Sequence, residues 1–315
     1  MKSLHHWGLG IIFLVLPLIT MSAQTRLQAT GERDFPALFA DPNSHARASG
    51  PSLPAEVVDY HRLDLHEESR AELFAAAPTQ LKLSVPRGAG QPLLELQLTL
   101  QPVVPLTIRL AGSTSSQTLA PGLHYRGTLA GEENSLVALS VFDGELTALI
   151  SSPLLGNLSL VPLTETDPAA KLEYRSYLLF NDAQLPGPAS FNCGAVDSGI
   201  GYGAEELRSS SGGARSTDCV GVYLEVDHDI YLEKGGLLGS INYVTALFNQ
   251  VTTLYADEGI SVSISEIFLW DIPSPYQGTS SSSMLTQFQS VRQSFNGDIG
   301  QLLSYQASGG IAVLS

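Results

Sequence analysis

Leu94-Glu95-Leu96-Gln97-Leu98-Thr99-Leu100-Gln101 alternates leucine with a polar residue along its whole length. Successive side chains of a strand point to opposite faces, so this run predicts a strand with one dry and one wet face. On a helix the same leucines would scatter around the axis. Its neighbours read the same way. Val57 to Leu63 predicts a strand, and Glu67 to Ala77 a short helix stopped by Pro78. Ser135 to Phe142 and Glu145 to Ser151 flank Asp143-Gly144, a hairpin turn whose two residues both tolerate positive φ. Leu158 to Leu163 and Leu172 to Phe180 add further strands. Residues 57–181 are therefore expected to be mainly antiparallel β, as a sandwich-like unit or a half-barrel.

After Cys219 the pattern changes. Val220 to Val226 is an apolar strand. Leu238, Ile241, Val244, Leu247, Phe248, Val251, Leu254 and Tyr255 recur at helical spacing over Leu237 to Tyr255, and Gly259 ends that helix. Ile260 to Trp270 predicts the next strand, Ser281 to Phe295 a second helix, and Ile311 to Leu314 the start of another strand. Strand, helix, strand, helix, strand implies crossovers and a largely parallel sheet. The expected class is α+β overall, with a β-rich unit followed by an incomplete α/β unit over 219–315.

Composition narrows the function. Of 315 residues, 43% are hydrophobic and 15% charged, so a real core can form. The net charge of −15 repels phosphate backbones and anionic lipid, which argues against nucleic-acid and membrane-surface partners. Two cysteines cannot staple a miniprotein or build a multi-cysteine zinc cluster. At the start, Lys2 precedes an apolar run from Leu9 to Ile19 broken by Gly10 and Pro17, then small residues up to Ala23. A bilayer of about 30 Å needs ~20 apolar residues in a helix, so 1–23 reads as a secretory signal peptide and the mature chain as exported.

Residues 24–56 read as an extended leader broken by Pro36, Pro42, Pro51 and Pro54. Residues 182–218 read as a flexible linker, with Pro186, Gly187, Pro188 and the run Ser209 to Gly213. Arg208 and Arg215 are candidate processing sites there, or simply solvated charges. Gly199-Ile200-Gly201-Tyr202-Gly203 follows no strong strand and is read as part of that linker. No His-Glu-x-x-His, Gly-x-Ser-x-Gly or Gly-x-x-x-x-Gly-Lys occurs anywhere in the chain.

Several ordered segments carry a family resemblance. They are Val226-Asp227-His228-Asp229-Ile230-Tyr231, Asn242 to Val251, Ile264 to Trp270, Asp298-Ile299-Gly300-Gln301-Leu302-Leu303 and Gly309-Gly310-Ile311-Ala312. Together they resemble the front half of a reprolysin-like (adamalysin-type) metzincin zinc metallopeptidase, most closely the secreted bacterial members. His124-Tyr125-Arg126-Gly127, Ser135 to Ser140 and Leu146 to Ile150 resemble the β-rich propeptide of the same proteases. The resemblance covers about 120–163 and 219–315.

The resemblance implies a secreted zymogen that hydrolyses peptide bonds with zinc-activated water, acting on protein or peptide substrates as a monomer. It also implies that the zinc helix follows the segment at which this sequence ends. Zinc belongs to the full-length protein, and the chain as given is expected to be inactive, a fragment or a truncated reading frame. Cys193 in Asn192-Cys193-Gly194 resembles a cysteine switch, a thiolate that blocks the zinc; alternatively it pairs with Cys219, or Cys219 pairs with a cysteine downstream. Gly309, Gly310, Ile311 and Ala312 match the family's substrate-binding edge strand, or an ordinary buried strand start. Asp298 matches a position that holds structural calcium in some relatives, but the partner glutamate falls here at Gly221. His228, alone at a strand end, is expected to be a hydrogen-bonded structural residue. The alternative to the protease is a non-catalytic exported β protein, binding or protease-inhibitory, with a vestigial α/β tail.

Overall fold

The computed structural model describes residues 32–34, 38–41, 60–120, 122–163, 174–184 and 219–312. Residues 1–23, read from the sequence as a signal peptide, most of the expected leader and linker, Cys193, Gly199 to Gly203, Arg208 and Arg215 lie outside the described residues. The early strands are β1 Glu32–Asp34, β2 Phe39–Ala40, β3 Tyr60–His66, β4 Gln80–Val85, β5 Leu94–Leu100, β6 Leu106–Leu110 and β7 Ser116–Leu119. Then come β8 Leu123–Leu129, β9 Glu132–Val141, β10 Leu146–Ser152, β11 Gly156–Pro162 and β12 Tyr174–Asn181. The last strands are β13 Val220–Val226, β14 Val262–Leu269 and β15 Ile299–Leu303. The helices are α1 Glu67–Ala76, α2 His228–Glu233, α3 Leu237–Asp257 and α4 Ser281–Val291. No described helix is long and apolar enough to cross a membrane.

The fold class is α+β. Ten strands form one sheet in the order β1-β4-β5-β8-β9-β10-β11-β12-β3-β2, antiparallel except where β1 joins β4. Of the two arrangements open to the sequence, the half-barrel is adopted. The sheet curls around its own core, bringing β2 at one end close to β4 near the other. The alternation of β5 is what builds that core: Leu94, Leu96 and Leu98 are buried beside Leu81, Leu83 and Val85 of β4, while Glu95, Gln97 and Thr99 face water. Across β5 and β8 the backbones approach so closely that a Cβ on Gly127 would lie 1.9 Å from the Gln97 carbonyl. The β9–β10 hairpin turns at Asp143-Gly144 as expected, with Phe142 N–H donating to the Glu145 carbonyl at 2.8 Å. Only Gly144 takes a positive φ, 108°, so the turn needs one permissive residue rather than two.

The smaller sheet has the order β15-β13-β14-β6-β7. Its first four strands are parallel, and β7 pairs antiparallel with β6. Two expectations from the sequence are corrected by this sheet. The α/β unit has a strand at Ile299–Leu303 that the sequence reading did not pick out, whereas Ile311 and Ala312 are in no strand and 313–314 lie outside the described residues. And β6–β7, inside the stretch 57–181 expected to form one β-rich unit, belongs to the second sheet. A strand's own pattern fixes which faces it buries; which sheet edge receives it depends on the geometry of the whole chain.

Helix α3 lies between the two sheets. Ile241, Val244 and Phe248 pack on Val222, Leu224, Val226 and Ile108 of the small sheet. One residue further on, about 100° around the axis, a second stripe of Asn242, Thr245, Asn249 and Thr252 turns toward the large sheet. Coverage by α3 explains β9, whose Ala138 and Ser140 are buried on the outer face as fully as Val137, Leu139 and Val141 are on the inner one.

The seam between α3 and the large sheet is polar and specific. The Asn249 amide donates to the Leu139 and Tyr125 carbonyls at 3.2 and 3.4 Å and to Ser140 Oγ at 3.2 Å. Its Oδ1 accepts from Arg126 Nε at 3.0 Å, and Arg126 also donates to Thr252 Oγ1 at 2.5 Å. Asn242 donates to Glu145 at 2.9 Å. His124 Nδ1 lies 2.9 Å from Ser140 Oγ, its ring edge-on to Phe142. Burial, and then the nearby Arg126 charge, lower the His124 pKa from 6.5 to about 4.

The folded chain therefore holds this imidazole neutral while the unfolded chain takes up a proton near pH 6.5. Between the two pKa values the unfolded state binds more protons, so stability falls as the pH drops from about 7 toward 4. We expect His124→Gln to flatten that limb, measured as the urea midpoint across about pH 4 to 7.5. An unchanged slope would show that other groups set the acid limb.

Candidate functional site

In a parallel sheet the carboxyl ends of the strands are where side chains and loops converge on ligands. Strand β13 carries the polar residues here, and its alternation decides where they go. Val222, Leu224 and Val226 point to α3. Tyr223, Glu225 and Asp227 take the opposite face, where Met284 and Phe288 of α4 pack with Tyr223, Phe268 and Tyr276.

Glu225 is fully buried. Its Oε1 accepts from Trp270 Nε1 at 2.7 Å and Tyr276 hydroxyl at 2.5 Å, and its Oε2 from Tyr223 hydroxyl at 3.0 Å. Arg292, just past the end of α4, donates to both oxygens, through Nε to Oε2 and through Nη2 to Oε1 at 3.3 Å. The guanidinium rests on the Phe268 ring, 4.0 Å from its centroid. Burial, and then the Glu225 charge, raise the Tyr223 phenol; burial and the hydrogen bond to Glu225 raise that of Tyr276. Both phenols therefore stay protonated donors. Desolvation works against the charged form of Arg292, but its bonds and charge contact with Glu225 outweigh this and raise its pKa. A buried carboxylate held by four donors, one of them cationic, is a satisfied ion pair.

Asp227 is also fully buried. It caps α2 by accepting from His228 N–H at 2.7 Å, and receives Ser274 hydroxyl at 2.5 Å and Gln306 amide at 2.7 Å. Ser304 Oγ lies between two carboxylates, 2.7 Å from Asp227 and 2.9 Å from Asp229. Asp229 additionally holds the N–H groups of Ile230 and Tyr305 at 2.6 and 2.8 Å. These bonds tie the chain after β14 and the chain after β15 to one strand end. The arrangement positions loops. It leaves neither Glu225 nor Asp227 without donors.

The residues singled out from the sequence are placed as follows. His228 Nδ1 donates to the Trp270 carbonyl at 3.0 Å and its ring stacks on Tyr231, the structural role expected of it. Asp298 is exposed and meets Gly221 reciprocally: its carboxylate accepts from Gly221 N–H and its own N–H donates to the Gly221 carbonyl, both at 2.7 Å. The two positions that sequence matching paired are thus neighbours, but glycine at 221 leaves a single carboxylate, already engaged with backbone. Gly309, Gly310, Ile311 and Ala312, expected to be an edge strand, carry no strand pairing among the described residues, and Gly309, Gly310 and Ala312 are exposed. Between β15 and those glycines the chain bends at residues 305–307, and Asp227 and Asp229 hold Ser304 and the Tyr305 N–H there. Cys219 is exposed just before β13, while Cys193 lies outside the described residues.

Among the described residues no three His, Cys, Asp or Glu side chains gather to hold a metal. The described residues alone therefore offer no ready-made ligand set for zinc or calcium. An open recess of about 460 Å³ between β5, β8 and β9, lined by Gln97, Thr128, Gly131, Glu132 and Glu133, has no cluster of donors facing it. Glu225 and Arg292 were not among the residues picked out by motif. The available signals were a lone acid inside an otherwise apolar strand, Glu225, and the scarcity of basic residues after Ser216, where Lys234 and Arg292 are the two.

Breaking a buried ion pair by removing one partner costs about 3–5 kcal/mol. We expect Glu225→Gln to lose stability on that scale, leaving Arg292 uncompensated, measured by denaturant unfolding at neutral pH. A loss within about 0.5 kcal/mol would mean that the cluster is not structural. Compared with known proteins, the chain matches no family model and no curated protein.

Proposed function

We propose that this chain is the leading part of a secreted zinc metalloendopeptidase zymogen. Residues 57–181 would be its propeptide and 219–315 the front of its catalytic domain. The supporting observation is the order in which the resembling segments fall on elements. Val226 to Tyr231 closes β13 and opens α2, Asn242 to Val251 lies in α3, Ile264 to Trp270 spans most of β14 and the residue after it, and Asp298 to Leu303 falls at β15. The contact of Gly221 with Asp298 agrees with the same alignment. The β-rich unit clasps the α/β unit along α3 and along the edge of β14, as a chaperoning and blocking propeptide would.

Zinc-activated hydrolysis would need a His-Glu-x-x-His helix, a motif that does not occur within residues 1–315. In this reading Cys193 is a candidate zinc-blocking thiolate, and the substrate is an extended peptide. The second reading, a non-catalytic exported binding or protease-inhibitory protein, is favoured by one observation. The buried carboxylates at the strand ends, Glu225 and Asp227, are engaged in holding loops.

The readings part on a simple measurement. Purified 24–315 is expected to bind no stoichiometric zinc and to show no chelator-sensitive proteolysis, while the reading frame continues past Ser315 into His-Glu-x-x-His. A stop codon at that point, or one tight zinc per 24–315 chain, overturns the zymogen proposal.

A further inference from the structure

The β6–β7 hairpin belongs to one unit by sequence and to the other by pairing. Ile108, Arg109 and Leu110 run parallel to Ile267, Phe268 and Leu269. Ala111 N–H donates to the Leu269 carbonyl at 3.0 Å and Gly112 N–H to Asp271 at 2.7 Å. Ile108 is fully buried and Leu106 nearly so, in the same core as Val222, Leu224 and Val226. Arg109 reaches Glu266, whose side chain is only 8% exposed, at 3.4 Å. Without the hairpin, β14 would present an open edge, an apolar strip and a mostly buried carboxylate with its cation gone.

From these contacts we propose that the outer edge of β14 is a strand-acceptor site, with the β6–β7 hairpin as its resident ligand. The site takes an extended segment in parallel register, with branched or long aliphatics at alternate positions and a basic residue beside Glu266. Main-chain pairing supplies binding and the alternating side chains supply selectivity. The polar seam of Arg126 and Asn249 is a second grip on a different surface, so the two act bivalently. The β-rich and α/β units therefore stay joined when the chain between them is cut. The inference concerns this join and holds whether or not the α/β unit belongs to a peptidase. For a zymogen it means that release requires displacing a strand as well as cutting a bond.

The test inserts a recognition sequence for a site-specific protease between Ser210 and Ser211 of the full chain, with complete cleavage verified on a denaturing gel. The cut protein is then run on native gel filtration at about 1 μM, where micromolar or tighter binding keeps partners together. Cut wild type is expected to elute as one 1:1 species. Arg109→Glu, at an exposed position, sets a like charge against Glu266 and should weaken the cut complex about tenfold or more. Ile108→Asp should separate the pieces outright. A synthetic peptide of residues 104–120 in excess should shift cut wild type toward free pieces. If cut wild type separates at this concentration, the acceptor site is not a stable one and the proposal fails. If Arg109→Glu and the peptide both leave the cut complex unchanged, the α3 seam alone holds it and the assignment to β14 is overturned.

Discussion

Helix α3 must serve two sheets at once, and the rest of the architecture follows from that constraint. A helix on one sheet can solvate its far side. On this one the large sheet covers a second stripe, while Leu238, Leu254 and Tyr255 elsewhere on the helix stay exposed. Its second stripe is polar, yet it is buried, so each of those groups needs a partner. Asn249 meets the requirement by reading two carbonyls and a hydroxyl of the large sheet while accepting from Arg126. Polar groups at such an interface fix one relative position of the two sheets, because a sliding helix would lose all of these bonds together. Apolar packing alone would tolerate a shift.

The same logic governs β13. Its apolar face needs only shape from α3, whereas its polar face needs specific donors. Glu225 draws these from Trp270, Tyr276 and Arg292, and Asp227 from Ser274, Ser304 and Gln306. Those groups lie after β14 and after β15, so one strand organises the loops that follow two others. A site of this kind often holds a ligand in parallel sheets. Here the surrounding loops supply the donors to both carboxylates.

The two units are joined through both a side-chain seam and a shared ladder. The ladder is the less ordinary of the two. An edge strand left open is a hazard, because its unpaired backbone groups recruit other strands. At β14 that edge is covered by chain from the β-rich unit rather than by charge or a bulge. Covering it in this way makes the completeness of the small sheet depend on the large one.

Much of the local structure could be read from the residues. The leucine alternation of β5, the helical spacing of α3, the span of β13 and the Asp143-Gly144 hairpin each depend on neighbours a few positions away, and periodicity records those directly. The α+β class follows from the same patterns. Tertiary structure decided the rest. The sequence of β6 says that Leu106, Ile108 and Leu110 share a face, but not that the face belongs to the second sheet. Of the donors to Glu225, Tyr223 is a neighbour on the same strand, but Trp270, Tyr276 and Arg292 are brought to it only by the crossovers. Ser304 and Tyr305, just after β15, are held by Asp227 and Asp229 from the end of β13, a contact no local pattern announces. Patterns along a chain encode faces and turns; which edge a strand joins, and which donors reach a buried charge, are set by long-range packing that no local window contains.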